Sequence, residues 1–106
     1  MKMGKSKRAK AVDIPQKVKK AVWNRDGRRC VLCGNPEAMP NAHVIPRSQG
    51  GLGIEENVVT LCMRSHDALD HTMARKILHA RLVSYLRGIY PGWDGIEKVY
   101  RKWGNA

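Results

Sequence analysis

Apolar residues recur along this chain with more than one rhythm. In VDIPQKVKKAVWNRDGRRC, Val18, Ala21 and Val22 fall at helical spacing and would line one side of a helix. Asp13 is placed to cap its start, with Pro15 in the first turn and Gly27 at its end. The next apolar runs are short and β-branched. AHVIP reads as a strand that Pro46 ends, and NVVTLC reads as a second strand. Gly50, Gly51 and Gly53 form a loop between them. From Ser65 the helical period returns, and Ile77, Leu78, Leu82, Tyr85, Leu86 and Ile89 make a long apolar stripe. Pro91 and Gly92 break it, and DGIEKVYRKW predicts a last short helix. Ahead of the first strand, Cys30-Val-Leu-Cys33-Gly34 has the shape of a tight metal-binding knuckle, followed by the turn residues Asn35, Pro36, Pro40 and Asn41. No internal repeat is visible. The order of helix, knuckle, strand, loop, strand and helix predicts a small α+β domain over residues 13–106, behind a basic, disordered arm over residues 1–12.

Composition narrows the partners more than the fold. A chain of 106 residues is one domain. It has no Phe, three Trp and three Tyr, so its core is modest and a metal staple would help it. Trp23, Trp93 and Trp103 are expected to pack rather than to stack on bases. The net charge is +11, from 20 Lys and Arg against 9 Asp and Glu. Such a balance makes nucleic acid a serious ligand. No run reaches the roughly 20 apolar residues of a membrane span. No apolar stretch follows the basic start, so it does not read as a secretory signal, and a soluble, cytoplasmic protein is expected. The three cysteines include one C-x-x-C pair, which in a reducing compartment favours a metal over a disulfide.

Three of the four histidines lie between Asn41 and His71. His43 falls in the first strand, Asn57 at the start of the second, and His66 in the first turn of the following helix. Asp70 stands four residues after His66, on the same helix face. An imidazole and a carboxylate so placed suit a divalent cation such as Mg²⁺, Mn²⁺, Ni²⁺ or Zn²⁺. A hairpin laid on that helix would bring His43 towards the same place. Taken singly, each of these residues has a bland reading: a satisfied histidine, a turn asparagine, an exposed helix carboxylate.

Taken together, Cys30-Val-Leu-Cys33, AHVIPRSQGGLG, ENVVTLC and SHDALDH resemble the HNH endonucleases, the ββα-metal finger family. The likeness covers about residues 22–75 and, with GIEKVYRKW, is greatest to the small HNH proteins of phages. It implies a ββα-metal finger with a zinc-knuckle-like Cys pair, flanked by an N-terminal helix and a C-terminal helical extension over residues 76–106. It implies that His43 is the general base for water, and that Asn57 holds the His43 loop through backbone hydrogen bonds. His66 and Asp70 would bind the catalytic metal. The substrate would be DNA, double-stranded, left with 5′-phosphate and 3′-hydroxyl ends. A phage terminase is the partner such small proteins often serve.

The pattern departs from the family at two positions. Many relatives carry a metal ligand just before the base histidine, where this chain has Ala42. Relatives with a structural zinc often supply four thiolates; here Cys30, Cys33 and Cys62 are joined by Ser65 where a fourth would stand. The fourth zinc ligand is then water, His71 or nothing. The bland alternative is a small apolar cluster of cysteines. Arg47, Ser48, Arg64, Arg75 and Lys76 flank the motif and are expected to contact phosphate. The rivals to a nuclease are a non-catalytic zinc-knuckle DNA-binding module, an accessory protein without activity, and a nuclease directed at RNA.

Overall fold

The computed structural model describes residues 6–100. Its frame is a two-stranded antiparallel sheet, β1 (Ala38–His43) against β2 (Val58–Cys62). Helices α1 (Lys7–Val12) and α2 (Gln16–Arg25) precede the sheet, and α3 (Met63–His71) and α4 (Arg75–Ile89) follow it. The α+β order expected from sequence is present, with shifted bounds. Of the arm expected over residues 1–12, residues 1–5 lie outside the described residues, as do residues 101–106 of the extension expected over 76–106, Trp103 among them.

Over Lys7–Val12 the arm is helical rather than disordered. Ser6 Oγ accepts a hydrogen bond from Ala9 N at 3.1 Å, which satisfies a free donor of the first turn. Val12 is buried at the other end. The cap and this burial offset the crowding of like charges. Asp13 ends α1 instead of capping α2, whose N-cap is Pro15. Val18 and Val22 are buried on α2, as their spacing predicts, and Gly27 follows the helix at φ +75°.

β1 begins and ends earlier than AHVIP suggested, because its pairing continues back to Ala38↔Cys62 and stops at His43↔Val58. The register shifts between Met39 and Ala42. Pro40 lies in this bulge, where its missing N–H costs no ladder bond. Opposite it, Thr60 N donates to Asp26 Oδ2 at 2.8 Å and Thr60 O accepts from Val31 N at 3.0 Å. The second strand matches NVVTLC over Val58–Cys62, and every residue of it is buried.

The helix expected from Ser65 onward is two helices. Thr72 breaks it: its Oγ1 donates to Ala68 O at 2.6 Å and accepts from Ala74 N at 3.2 Å. On α4 Leu82 and Leu86 enter the core, whereas Ile77 is exposed. The core also holds Cys30, Ala42, Val44, Val59, Leu61, Cys62, Leu69 and Trp93. The described part of the last predicted helix is a 3-10 turn over Gly95–Lys98, and its residues 101–103 lie outside the described residues. Beyond it Val99 bridges to Gly51 and Tyr100 N donates to Gly50 O at 2.7 Å.

Arg25 and Asp26 tie these pieces together below the sheet. Arg25 donates to Asp26, to Glu55 O at 2.6 Å, and to Val58 O at 2.7 Å. Tyr85 OH donates to Asp26 Oδ1 at 2.6 Å. Burial and then the bond to Asp26 push the Tyr85 pKa up to about 12. Burial alone would lower the Arg25 pKa, but hydrogen bonds to Asp26 and Tyr90 reverse this and raise it. One buried ion pair thus joins α2, β2 and α4, and its carboxylate finishes the Thr60 donor left at the bulge.

Candidate functional site

His43 closes β1 with a half-buried ring. Its Nε2 lies 2.7 Å from Val12 O. A carbonyl can only accept, so Nε2 carries the proton and Nδ1 keeps the lone pair. Burial pushes the His43 pKa below the ordinary value; the Val12 carbonyl opposes this, and Arg47 and His66 add to it. A neutral imidazole with a free Nδ1 can accept a proton near neutral pH. The ring lines a cleft of about 420 Å³ with Asp13, Ile14, Lys19, Asn41 and Arg47.

Asn57 is fully buried at the end of a 3-10 turn, Glu55–Asn57, immediately before β2. Its Oδ1 accepts from Ile45 N at 2.8 Å, and its Nδ2 donates to Ile45 O at 3.2 Å and Leu52 O at 2.9 Å. One amide therefore clamps both ends of the loop that follows His43. The glycines let the loop close this tightly. A Cβ on Gly51 would run into Ile45 O, and one on Gly53 into Asp13 O. Gly50 takes φ +81°, a conformation that favours glycine.

His66 and Asp70 meet on α3, with His66 Nδ1 3.0 Å from Asp70 Oδ2. A ring held by a carboxylate on one nitrogen presents the other to a metal. His66 Nε2 faces away from Asp70, so a cation held by both side chains would instead sit between Nδ1 and Oδ2, whose 3.0 Å separation suits two ligands of one ion. The pair opens on a second cleft, of about 710 Å³, lined among others by Met39, Asn41, Met63 and Asp67. Asn41 borders both clefts, so the His43 and His66 sides adjoin. Sequence reasoning took Asn41 for a turn residue; its place two residues before His43, on the same strand face, was the available signal. Ala42 between them points into the core at 1% exposure.

Cys30, Cys33 and Cys62 place their sulfurs within 4.8 Å of one another, and could hold a metal ion such as zinc. Ser65 Oγ lies 3.4, 3.8 and 3.3 Å from the sulfurs of Cys30, Cys33 and Cys62. A tetrahedral zinc with bonds of about 2.3 Å would separate its sulfurs by about 3.8 Å, so Ser65 occupies the fourth corner. Burial would raise the Cys30 pKa, but the hydrogen bond with Ser65 and those with the Cys62, Cys33 and Leu32 backbone bring it down to about 6. A thiolate ready at neutral pH is what a metal ligand requires. His71 is not a candidate for that corner: it is exposed and sits 3.9 Å from Asp67.

The basic residues expected at phosphate divide into two groups. Arg47 is exposed but its Nη2 is 3.0 Å from Asp13 Oδ1. The Arg47 and Ser48 carbonyls accept from Arg8 Nη2 at 3.0 and 3.2 Å. Arg64 on α3 and Arg75 and Lys76 at the start of α4 are exposed. Among the described residues no helix is long and apolar enough to cross a membrane. No protein-family model matches this chain, and no curated protein matches it.

Proposed function

We propose that this chain is a metal-dependent HNH endonuclease that hydrolyses DNA phosphodiester bonds. The observation that carries the reading is the state of His43. Its Nε2 is tied to a backbone carbonyl, its Nδ1 keeps a lone pair, and its loop is clamped by Asn57. His43 takes a proton from water as the water oxygen bonds to phosphorus. The P–O3′ bond breaks, the departing oxygen takes a proton from solvent water to become the 3′-hydroxyl, and His43 then returns its proton to solvent. His66 and Asp70 would hold a divalent ion, which supplies Lewis-acid stabilisation of the charge on the phosphate. Arg47, Arg64, Arg75 and Lys76 offer charge to the backbone without reading sequence. Asn41, bordering both clefts, lies where the scissile phosphate would pass.

A second reading is an inactive DNA-binding or accessory protein, and one observation favours it. The position that supplies a further metal ligand in many relatives is Ala42, buried in the core. A supercoiled-plasmid assay separates the two, using wild type and His43→Ala in EDTA, Mg²⁺, Mn²⁺, Ni²⁺ and Zn²⁺. Metal-dependent nicking that disappears in His43→Ala is expected. DNA binding without nicking in any metal would move the assignment to the accessory protein, a terminase partner included.

A further inference from the structure

We infer that residues 6–14, which precede the metal-finger motif, are a strap that positions His43 and its loop, rather than an arm that grips DNA. The strap touches the loop at successive points along its length. Arg8 Nη2 donates to the carbonyls of Arg47 and Ser48 at 3.0 and 3.2 Å. Ala11 O accepts from Gly53 N at 2.9 Å. Val12 O receives His43 Nε2 at 2.7 Å, and Asp13 Oδ1 meets Arg47 Nη2 at 3.0 Å. Val12 is itself only 4% exposed, which pins the carbonyl that faces the ring. Gly53 has no room for a Cβ because Asp13 O occupies that space. Arg8 sets one guanidinium nitrogen on two loop carbonyls from an exposed position, so it braces the loop. Val12 acts through its backbone, and Arg8 and Gly53 hold it there; all of these are positioning residues.

The charged and titratable groups around His43 are Arg47 on the loop, His66 on α3, Lys19 on α2 and Asp13 on the strap. None of them offers the ring the fixed acceptor that Val12 O provides. A ring that lost this acceptor would sample both tautomers, and in one of them Nδ1 carries the proton and cannot take another.

The strap itself can be tested without any nuclease assay, while its catalytic consequence rests on the proposed function. Long-range ¹H–¹⁵N spectra of the full chain at neutral pH report the tautomer of each imidazole. His43 is expected as the pure Nε2–H form. In Gly53→Ala the strap is pushed off and His43 should show both tautomers. Nicking should then fall by on the order of 100-fold, the usual scale of general-base loss, with DNA affinity unchanged. Arg8→Ala, at an exposed position, should move the tautomer balance the same way to a smaller extent and keeps the test open if Gly53→Ala does not fold. An averaged His43 in the wild type would overturn the strap. So would an unmoved tautomer in Arg8→Ala together with weaker DNA binding, which is the behaviour of an arm. A fixed tautomer released by either variant, in a protein that nicks nothing, would uphold the strap and remove the nuclease.

Discussion

His43 and His66 are the same residue in opposite settings. His43 sits at the end of a strand under a loop held from both sides, with one nitrogen fixed by Val12 O. His66 stands on a helix face at 37% side-chain exposure, and its held nitrogen meets a carboxylate that is itself 45% exposed. The first environment fixes a tautomer and disfavours the charged ring. The second leaves a nitrogen and an oxygen open to an ion and to water. A general base needs its proton inventory controlled, whereas a metal ligand needs access. In the proposed nuclease these demands would fall on different settings, a clamped loop and a solvent-facing helix.

The largest effect that could break this comparison is on activity. His43→Ala should cost about 10²- to 10⁴-fold in nicking rate with little change in melting, because the ring is only half buried. Equal loss of fold and rate would make His43 a structural residue. Next is the clamp. Asn57→Ala leaves Ile45 N, Ile45 O and Leu52 O without their buried partner and should cost about 2–4 kcal/mol in urea unfolding. A smaller cost would mean that the loop closes without it. Ser65→Cys should tighten zinc binding by at least about tenfold, or about 1.4 kcal/mol, in a chelator competition. An unchanged affinity would show that position 65 is not the fourth ligand position of the cluster.

The pH dependence sharpens the contrast further. Unfolded His43 takes its proton near pH 6.5, whereas the folded ring resists it to lower pH. Its contribution to stability is therefore complete above about pH 6.5 and declines as the pH falls towards the folded value. His43→Gln should flatten that decline in a series of melts. Smallest is Asp70→Asn, which should change stability by no more than about 0.5 kcal/mol at so exposed a position, yet weaken divalent-ion binding in calorimetry. A large loss of stability would show the His66–Asp70 pair to be a structural bond.

What was legible in the sequence was local. The C-x-x-C turn, the β-branched run ending at Cys62, and the four-residue step from His66 to Asp70 each fix their own geometry. The value of Asn57 was legible only through resemblance, since an amide near a strand start has no signature of its own. The Thr72 break was hidden because the apolar stripe runs on through it, and one side-chain hydroxyl outweighs the pattern. The partners of Arg25 lie up to 65 residues away, and no local spacing announces them. The Val12 carbonyl was the least visible of all. Every residue has a carbonyl, so only the fold reveals which one meets His43.

The glycine loop also carries a consequence for synthesis. It is closed by Ala11 near one end of the described chain and by Tyr100 near the other. A ribosome emits α1, the sheet and α3 before the segment that bridges to Gly51. The cysteine knuckle can form while the chain is still tethered, because Cys30 to Ser65 emerges early. The loop beside His43 gains its last hydrogen bonds only when residue 100 has cleared the exit tunnel. A nascent chain would thus hold its knuckle before the loop beside His43 is fully closed.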